Sequence, residues 1–189
     1  MKKFELTAEF VTNVFGKKLF RIKALVAFGN VEKGELGGFI EKEDNLSHDG
    51  NAWVYGNAQV YGNAWVYGNA QVYGNAQVSG NAQVYGNAQV YGNAQVYGNA
   101  WVYGDAQVSG DARVSGDADY AVVKGFGRCF RTTTFFRCKD KILRVQCGCF
   151  YGDLAQFREI VKKTHGDSKY AKEYLSIADL MELHFSDEY

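Results

Sequence analysis

The sequence predicts a mainly β protein built on a parallel β-helix of about four coils. Two observations lead to this prediction. Residues 51–116 are eleven consecutive hexapeptides of the form [Asn/Asp]-Ala-x-Val-[Tyr/Ser]-Gly. The chain also has 22 Gly and no Pro in 189 residues, a composition that favours tight corners over a disordered linker. We therefore expect a β-helix over 46–122, an N-terminal β-hairpin cap over 1–45, and a small C-terminal α+β domain over 123–189.

Each hexapeptide has the spacing of a short strand followed by a corner. Ala52 and Val54 are two residues apart, so in an extended chain both point to the same side. Tyr55 points to the other side, and the Gly56–Asn57 pair supplies the two residue types that best tolerate positive φ. Three such corners close a triangle, which predicts 18 residues per coil and a prism of roughly 18 Å with a Val and Ala interior.

Counted from Val, the repeat is Val-x-x-x-Ala-x, and this pattern resembles the hexapeptide-repeat family. The resemblance implies a left-handed parallel β-helix. The stretches LGGFIEKEDNLSHDGNAWVYGNAQVYG and TTFFRCKDKILRVQCGCFYGDLAQFREIVKKTHGDSKYAKEYL resemble uncharacterised phage and prophage proteins of this family. That resemblance implies a fold and a source, but no activity for any residue.

The N-terminal segment before the repeats predicts a β cap. Residues 3–29 alternate apolar and polar and break at Gly16-Lys17-Lys18, as expected for a hairpin. Asn45–Gly50 (NLSHDG) is interpreted as a degenerate first hexad, with His48 in the position of Val. Asp117–Val122 is interpreted as a degenerate twelfth hexad.

The C-terminal segment predicts a ββαα unit. A break at Lys139-Asp140-Lys141 indicates a hairpin, and Asp153 is a candidate N-cap for a helix that ends at Gly166. Asp167 or Ser168 is a candidate cap for a second helix. The residues expected to point inward are Leu154, Phe157, Ile160 and Val161 in the first helix, and Tyr170, Tyr174, Ile177 or Ala178, and Met181 in the second.

The 18-residue period sorts the outward residues of the coils into three faces with few charges. Trp53 begins one face. The candidate binding residues lie on another, where Trp65, Gln83 and Trp101 stack beside Tyr67, Tyr85 and Tyr103. One interpretation is that aromatic and amide ladders merely stabilise the coil. The other is that Trp65, Tyr67, Tyr85, Trp101 and Tyr103 bind a sugar, a base, another protein or a second copy of the chain.

A second candidate site is the basic segment 124–144, in which seven cations are interleaved with Phe. Such a pattern could hold single-stranded nucleic acid or a phosphorylated ligand. The alternative is that a two-residue period puts the Phe side chains in the core and the cations in solvent. The candidate ligand-binding cations are Arg128, Arg131, Arg137, Lys139 and Lys141.

The sequence offers no catalytic residue, metal ligand or cofactor-binding motif. Enzymes of the hexapeptide-repeat family use a His as the base for acyl transfer, whereas His48, His165 and His184 all lie outside the regular repeats. The Cys147-Gly-Cys149 spacing differs from a zinc knuckle. Leu143, Val145, Cys147 and Cys149 share one strand face, which favours core thiols over structural zinc, the alternative.

The charge balance of 21 Lys+Arg against 21 Asp+Glu removes the argument for a broadly basic nucleic-acid binder. The start of the chain has no apolar run of a signal peptide or membrane span, so a cytoplasmic, non-membrane protein is expected. Our leading hypothesis is a non-enzymatic binding or scaffold protein of phage or prophage origin, forming a homo-oligomer and contacting an unidentified protein or small ligand. The alternatives are an acyltransferase that uses an acyl-CoA and a self-assembling β-helix.

Overall fold

The computed structural model describes residues 1–186, and its architecture confirms the predicted fold class. A β-solenoid of four turns is preceded by a hairpin and followed by a β-sheet and two helices. The last three residues of the predicted C-terminal domain, 187–189, lie outside the described residues. Within residues 1–186, no helix is both long enough and apolar enough to span a membrane.

The N-terminal cap is a hairpin extended by a third strand. Strands β1 (Phe4–Thr12) and β2 (Lys18–Ala24) pair antiparallel, and the Asn13 side chain accepts hydrogen bonds from the backbone N–H groups of Phe15 and Lys17 in the turn. Strand β3 (Leu36–Ile40) pairs antiparallel with β2 and parallel with a solenoid strand, with Ile40 opposite Val60. The cap therefore continues directly into one face of the solenoid.

The solenoid consists of eleven two-residue strands on three faces. Strands 18 residues apart pair in parallel, so that Val54 lies beside Val72 and Val72 beside Val90. The first face is β4 (Trp53–Val54), β7 (Gln71–Val72), β10 (Gln89–Val90) and β13 (Gln107–Val108). The second is β5 (Gln59–Val60), β8 (Gln77–Val78), β11 (Gln95–Val96) and β14 (Arg113–Val114). The third is β6 (Trp65–Val66), β9 (Gln83–Val84) and β12 (Trp101–Val102).

The interior of the solenoid is a column of Ala and Val, as predicted. Every Ala and Val of the eleven repeats is at most 1% exposed, and together they form one continuous hydrophobic core with Ile40 and Leu46. The backbone N–H groups are bonded from coil to coil, for example Trp65 N–H to the Ala82 carbonyl at 2.9 Å. Burial and inter-coil hydrogen bonding thus have the same 18-residue period.

The two degenerate hexads differ from the prediction. Leu46, and not His48, takes the position of Val, because Leu46 bridges to Val66 in parallel register. At the other end, Asp117–Asp119 form a 3-10 turn and Tyr120 begins a new strand, so the twelfth hexad does not form a solenoid strand. In both places the flanking segment leaves the regular hexapeptide register where it meets the end of the solenoid.

The C-terminal domain has four strands, where the sequence predicted two. Strands β15 (Tyr120–Phe126), β16 (Arg131–Arg137), β17 (Leu143–Cys147) and β18 (Phe150–Asp153) form an antiparallel sheet in chain order. Helices α1 (Leu154–His165) and α2 (Lys169–His184) follow, and the side chains of Asp153 and Ser168 accept N-cap hydrogen bonds, as predicted. The hairpin at 139–141 is confirmed by the pairing of β16 with β17.

Strand β16 is buried on both sides because it separates two cores. Phe136 and Cys138 join the solenoid core, and the Thr134 hydroxyl accepts a hydrogen bond from the Gln107 N–H at 3.0 Å. Phe135 points to the other side and packs against Phe157 of helix α1. The sheet therefore caps the solenoid with one face and supports the helices with the other.

Three inward predictions in this domain are wrong. Ile160 and Tyr170 are exposed, because only part of the apolar residues of each helix lies on the side that faces the core. Cys149 is also exposed, because β17 ends at Cys147 and Gly148 turns the chain with a φ of +59°. The two-residue alternation of a strand does not continue through that turn.

Candidate functional site

The structure brings the five predicted aromatic residues together on the sheet β6-β9-β12. We call this surface the aromatic face; its members are Trp65, Tyr67, Tyr85, Trp101 and Tyr103. Trp65, Trp101 and Tyr103 are 42%, 46% and 51% exposed. Three exposed large aromatic side chains on one flat surface are the kind of feature that marks contact sites.

Four rings of the aromatic face form a continuous stack, in which Tyr67, Tyr85 and Tyr103 follow the solenoid axis and Trp65 stacks on Tyr67 within its own coil. The centroid distances are 4.0 Å from Trp65 to Tyr67, 4.8 Å from Tyr67 to Tyr85 and 5.4 Å from Tyr85 to Tyr103. The Tyr67 hydroxyl donates to Gln83 Oε1 at 3.2 Å, and burial raises the pKa of this phenol. These four rings thus support one another, which restricts the orientation of the exposed Trp65 and Tyr103.

The prediction that Trp53 is exposed on the first face is wrong. Trp53 lies in β4, the first strand of that face, but its side chain is fully buried because the N-terminal cap covers it. Phe4 and Phe28 contact its indole edge-on, with centroids at 6.1 and 5.3 Å. Trp65 and Trp101 are therefore the tryptophans available for contacts, and both belong to the aromatic face.

Columns of Asn side chains line the corners of the solenoid and end in Asp. Asn51 Nδ2 donates to Asn69, Asn69 to Asn87, and Asn87 to Asp105, with distances of 3.2, 3.1 and 3.0 Å. A second column runs through Asn93 to Asp111. An amide both donates and accepts, whereas a carboxylate only accepts, so Asp suits the last position of a column that donates in one direction.

A cavity of about 440 Å³ adjoins the last ring of the aromatic face. The Tyr120 hydroxyl donates to the Trp101 carbonyl at 2.5 Å, and the Trp101 N–H donates to Asp117 Oδ1 at 3.2 Å. Burial raises the pKa of Tyr120. The cavity is lined by Tyr103, Gly104, Asp105, Asp117, Tyr120, Ala121, Val122, Lys124 and Thr132.

Two carboxylates of this cavity differ in their partners. Asp105 forms an ion pair with Lys124 and accepts from Asn87, and these bonds lower its pKa. Asp117 has no cationic partner among the described residues. Asp105, Asp117, Tyr120 and Lys124 were not predicted as site residues from the sequence; the change from Asn to Asp in the last repeats is the signal that marks this end.

The structure separates the five predicted basic residues. Arg128 and Arg131 line a cleft of about 240 Å³ beside helices α1 and α2. Arg137 donates to the Phe185 carbonyl at 2.8 Å and lies over the Phe185 ring. Lys139 lines a different cavity together with Asp111, Asp140 and Arg144, and Lys141 lies in the β16–β17 turn with a φ of +64°.

The cleft beside Arg128 and Arg131 combines these cations with an apolar wall and a buried phenol. Burial and the neighbouring Cys147 raise the pKa of Tyr174 to about 12. Within the described part of the chain, no carboxylate lies within ion-pair distance of either arginine. The remaining lining residues are Cys129, Cys147, Phe150, Phe157, Ile160, Val161, Thr164 and His165.

The basic hairpin departs from the expectation that its Phe residues are all core. Phe135 and Phe136 are buried, but Phe126 is 42% and Phe130 66% exposed. Phe130 has a φ of +51° in the β15–β16 turn, so strand alternation does not determine its direction. An exposed aromatic and basic hairpin tip therefore borders the cleft.

The three histidines lie outside the solenoid strands. His48 accepts a hydrogen bond from the Lys3 N–H at 3.1 Å and stacks on Phe4 at 4.3 Å in the N-terminal cap. His165 and His184 belong to the C-terminal helical region, at a distance along the chain from every solenoid strand. In the part of the chain that is described, His, Cys, Asp and Glu side chains form no group of three that could hold a metal ion.

The fold and the stacked faces define a β-solenoid repeat protein. The family model described as YdcK Beta solenoid repeat matches residues 58–74, 70–86, 88–104 and 106–118. These stretches lie in the repeats and cover less than half of the chain, so the match characterises the solenoid and not the flanking domains. No curated protein matches the chain. The left-handed sense and membership of the hexapeptide-repeat family stay predictions from the sequence.

Proposed function

We propose that this chain is a non-enzymatic binding protein in which the solenoid is a rigid scaffold and the aromatic face is the contact surface. The observation that carries the proposal is the exposure of Trp65, Trp101 and Tyr103 on one uncharged, ring-stacked surface. Tyr and Trp dominate the energy of protein contacts because they bury a large area with little loss of side-chain freedom.

Rigidity supports this role. The three Tyr rings and Trp65 are stacked on one another, and the strands beneath the aromatic face are hydrogen-bonded from coil to coil. A surface that is ordered before binding loses less conformational entropy when a partner arrives. We propose that the partner is a protein, either another molecule or further copies of this chain in a homo-oligomer.

The capped ends favour a discrete scaffold over the alternative of a self-assembling filament. Strands β1–β3 cover one end of the solenoid, and strand β16 covers the other through the Thr134 hydroxyl and the Ala112–Cys138 bridge. These covers reduce the unpaired edge on which another solenoid would stack, and leave β12 as the edge strand of the third face. Sedimentation to species larger than a trimer, with no upper limit on size, would support the filament instead.

The direct test is a native mass measurement of protein isolated gently from the host cell. The test variant is the double substitution Trp65→Ala and Trp101→Ala; the matched control is Gln71→Ala and Gln89→Ala on the first face. We expect the wild-type assembly mass to be kept by the control and lost by the test variant. An unchanged mass in the test variant would contradict the proposal.

The acyltransferase alternative has less support. His48 is engaged by Lys3 and Phe4 in the cap, and none of the described His residues lies on a coil where it could accept a proton from a substrate on the aromatic face. Turnover of an acyl-CoA by purified protein would overturn the non-enzymatic proposal. A phage or prophage source is proposed from the sequence resemblance alone.

A second candidate function is binding of a phosphorylated ligand in the cleft beside Arg128 and Arg131. The specific support is that the cleft combines two cations with an apolar wall formed by Phe150 and Phe157. Neither arginine has a carboxylate partner among the described residues. The structure separates these arginines from Lys139 and Lys141, so a compact ligand fits better than a long nucleic acid.

Titration with phosphotyrosine tests this second candidate. We expect binding that weakens steeply with salt, that is lost in Arg128→Gln with Arg131→Gln, and that is retained in Lys139→Gln with Lys141→Gln. Equal affinity in both double variants would remove the cleft as a phosphate site.

A further inference from the structure

The ring stack of the aromatic face ends with one ring that has a neighbour on one side only. Tyr85 stacks on Tyr103 at 5.4 Å, and no further ring continues the stack among residues 1–186. Tyr103 also lines the 440 Å³ cavity formed with the C-terminal domain. Tyr103 is also the most exposed tyrosine of the stack, at 51%.

The corresponding position on the first face is closed. There Tyr73 stacks on Tyr91 at 4.8 Å, and the next residue in the column is Ser109. Ser109 is 2% exposed, and its hydroxyl donates to Gln146 Oε1 at 3.2 Å in the C-terminal sheet. The C-terminal domain thus fills the end of one ring column and leaves the end of the other open.

The charges around the open end select the kind of ligand. Lys124 neutralises Asp105 through their ion pair. Asp117 uses Oδ1 to accept the Trp101 N–H, and its second oxygen has no donor among the described residues. The cavity therefore has an aromatic wall at Tyr103, an unneutralised carboxylate at Asp117 and a hydroxyl at Thr132.

We propose that this cavity binds a small arylalkylamine, with its aromatic ring stacked on the face of Tyr103 that Tyr85 does not cover and its ammonium group beside Asp117. The volume is in the range of small-molecule sites. Ring stacking and a nearby carboxylate complement the two parts of such a ligand. The inference deepens the proposed binding role, because it rests on the aromatic face being a contact surface and names the ligand class for its end.

Titration with tyramine, using 4-hydroxyphenylacetate as the charge-reversed probe, tests the proposal. The two probes share the ring and differ in the sign of the side-chain charge, and binding is measured by changes in the protein NMR spectrum. We expect tyramine to bind and 4-hydroxyphenylacetate to bind at least about fivefold more weakly. Equal binding of the two probes, or no binding of tyramine, would overturn the proposal.

Three variants locate the site. Tyr103→Leu should weaken tyramine binding about fivefold or more, whereas the matched Tyr91→Leu, at the closed column end, should leave it unchanged. Asp117→Asn keeps the acceptor for the Trp101 N–H and removes the charge, so it should reduce the preference for tyramine. Tyramine binding that is insensitive to both Tyr103→Leu and Asp117→Asn would place the probe elsewhere and overturn the proposal.

The tyramine titration and the native mass measurement test the cavity ligand and the proposed function separately. Failure of tyramine to bind, with loss of the native assembly in the Trp65→Ala and Trp101→Ala variant, would remove only the cavity ligand. Tyramine binding with an unchanged assembly mass in that variant would remove the protein-contact role and leave the cavity site. Thermal unfolding of each variant, compared with wild type, verifies that the substituted proteins are folded.

Discussion

At the residue scale, the corner glycines show how closely the coils approach one another. Gly86 has a φ of +71°, and a Cβ built there would lie 2.9 Å from the backbone N of Gly104 in the next coil. Gly104 itself has a φ of +68°, but nothing lies within 4 Å of its Cβ position. The two glycines occupy the same corner position and have the same backbone conformation. Gly86 is followed by another coil at this corner, whereas Gly104 is not.

We expect Gly86→Ala to destabilise the protein more than Gly104→Ala. Both substitutions place a side chain at positive φ, which costs about 1–2 kcal/mol, but only Gly86→Ala also forces a methyl group against backbone. Chemical denaturation of the two variants measures the difference. Equal losses would mean that the coils separate without cost at this corner.

Lys3 is a buried cation at the N-terminal end of the solenoid. Its ammonium group donates to the Ala52 carbonyl at 2.9 Å and lies over the Phe28 ring, 4.6 Å from the centroid. Burial lowers the pKa of Lys3 to about 8, opposed in part by Asp49. The side chain thus satisfies a carbonyl at the end of the solenoid but is held there at the expense of its hydration.

The free energy of unfolding should rise with pH between about 8 and 10. The folded protein releases the Lys3 proton at a lower pH than the unfolded chain does, so the unfolded state binds more protons in this window. Relative to Lys3→Met, wild type should gain about 1–2 kcal/mol from pH 7 to pH 9.5. Denaturant titrations at the two pH values test this, and parallel pH profiles for the two proteins would contradict it.

The residue types of the repeat made the interior predictable, because Ala and Val two apart and Gly-Asn at the corner permit few other arrangements. The burial of the Trp53 side chain was not predictable in the same way. Its hexad is identical to those of Trp65 and Trp101, and only the position of the N-terminal cap determines that it is buried. Identical local sequence carries no information about which copy a distant segment will cover.

At the element scale, strand β16 and its neighbours determine how the solenoid ends. The sheet contacts the last coil through the Thr134 hydroxyl and the Gln146 side chain, which accept hydrogen bonds from Gln107 and Ser109. The change from Tyr to Ser at position 109 makes room for that contact. At Ser79, by contrast, nothing in the structure explains the same change.

Replacing each of these serines by the consensus tyrosine should change the free energy of unfolding by different amounts. Ser109→Tyr inserts a ring into a buried contact, and overpacking of this kind costs about 1–3 kcal/mol. Ser79→Tyr places a ring between Tyr61 and Tyr97 on an open face, so it should be neutral or slightly stabilising. Thermal unfolding compares them; a larger loss for Ser79→Tyr would contradict the docking described here.

The elements of the C-terminal domain were predictable where local signals are strong. The N-cap at Asp153 and the hairpin at 139–141 follow from their residue types. Strand β15 was missed because Tyr120 joins the solenoid core whereas Ala121 and Val123 pack against the helix core. Strand β18 was missed because it has only four residues and follows directly after the turn at Gly148. The cavity beside Tyr103 was missed for a related reason, since it exists only between the last coil and this domain.

At the scale of the whole molecule, the coil is the unit that keeps Trp65 and Trp101 on one face. The two residues are separated by two full periods, and each period is 18 residues. Removing a whole coil should therefore keep the faces in register, whereas removing a third of a coil should rotate one part of the aromatic face away from the other.

Deletion of residues 69–86 should give a shorter, folded protein that retains its partner, because Trp65 then lies directly beside Trp101. The protein that lacks residues 69–74 should also fold, because the hexads are nearly identical. In that protein Trp101 moves to the second face, so binding of the partner should be lost. Circular dichroism and native mass measurement report folding and binding separately. Loss of binding in the longer deletion alone would contradict this account.

The 18-residue coil is tested most directly by pyrene labels on paired cysteines, in a background with Cys129→Ser and Cys149→Ser. Trp65→Cys with Gln83→Cys places the labels one coil apart, roughly 4.8 Å between strands. Trp65→Cys with Gln77→Cys places them on different faces. Excimer emission from the first pair and monomer emission from the second is the predicted result, and excimer emission from the 65–77 pair alone would contradict it.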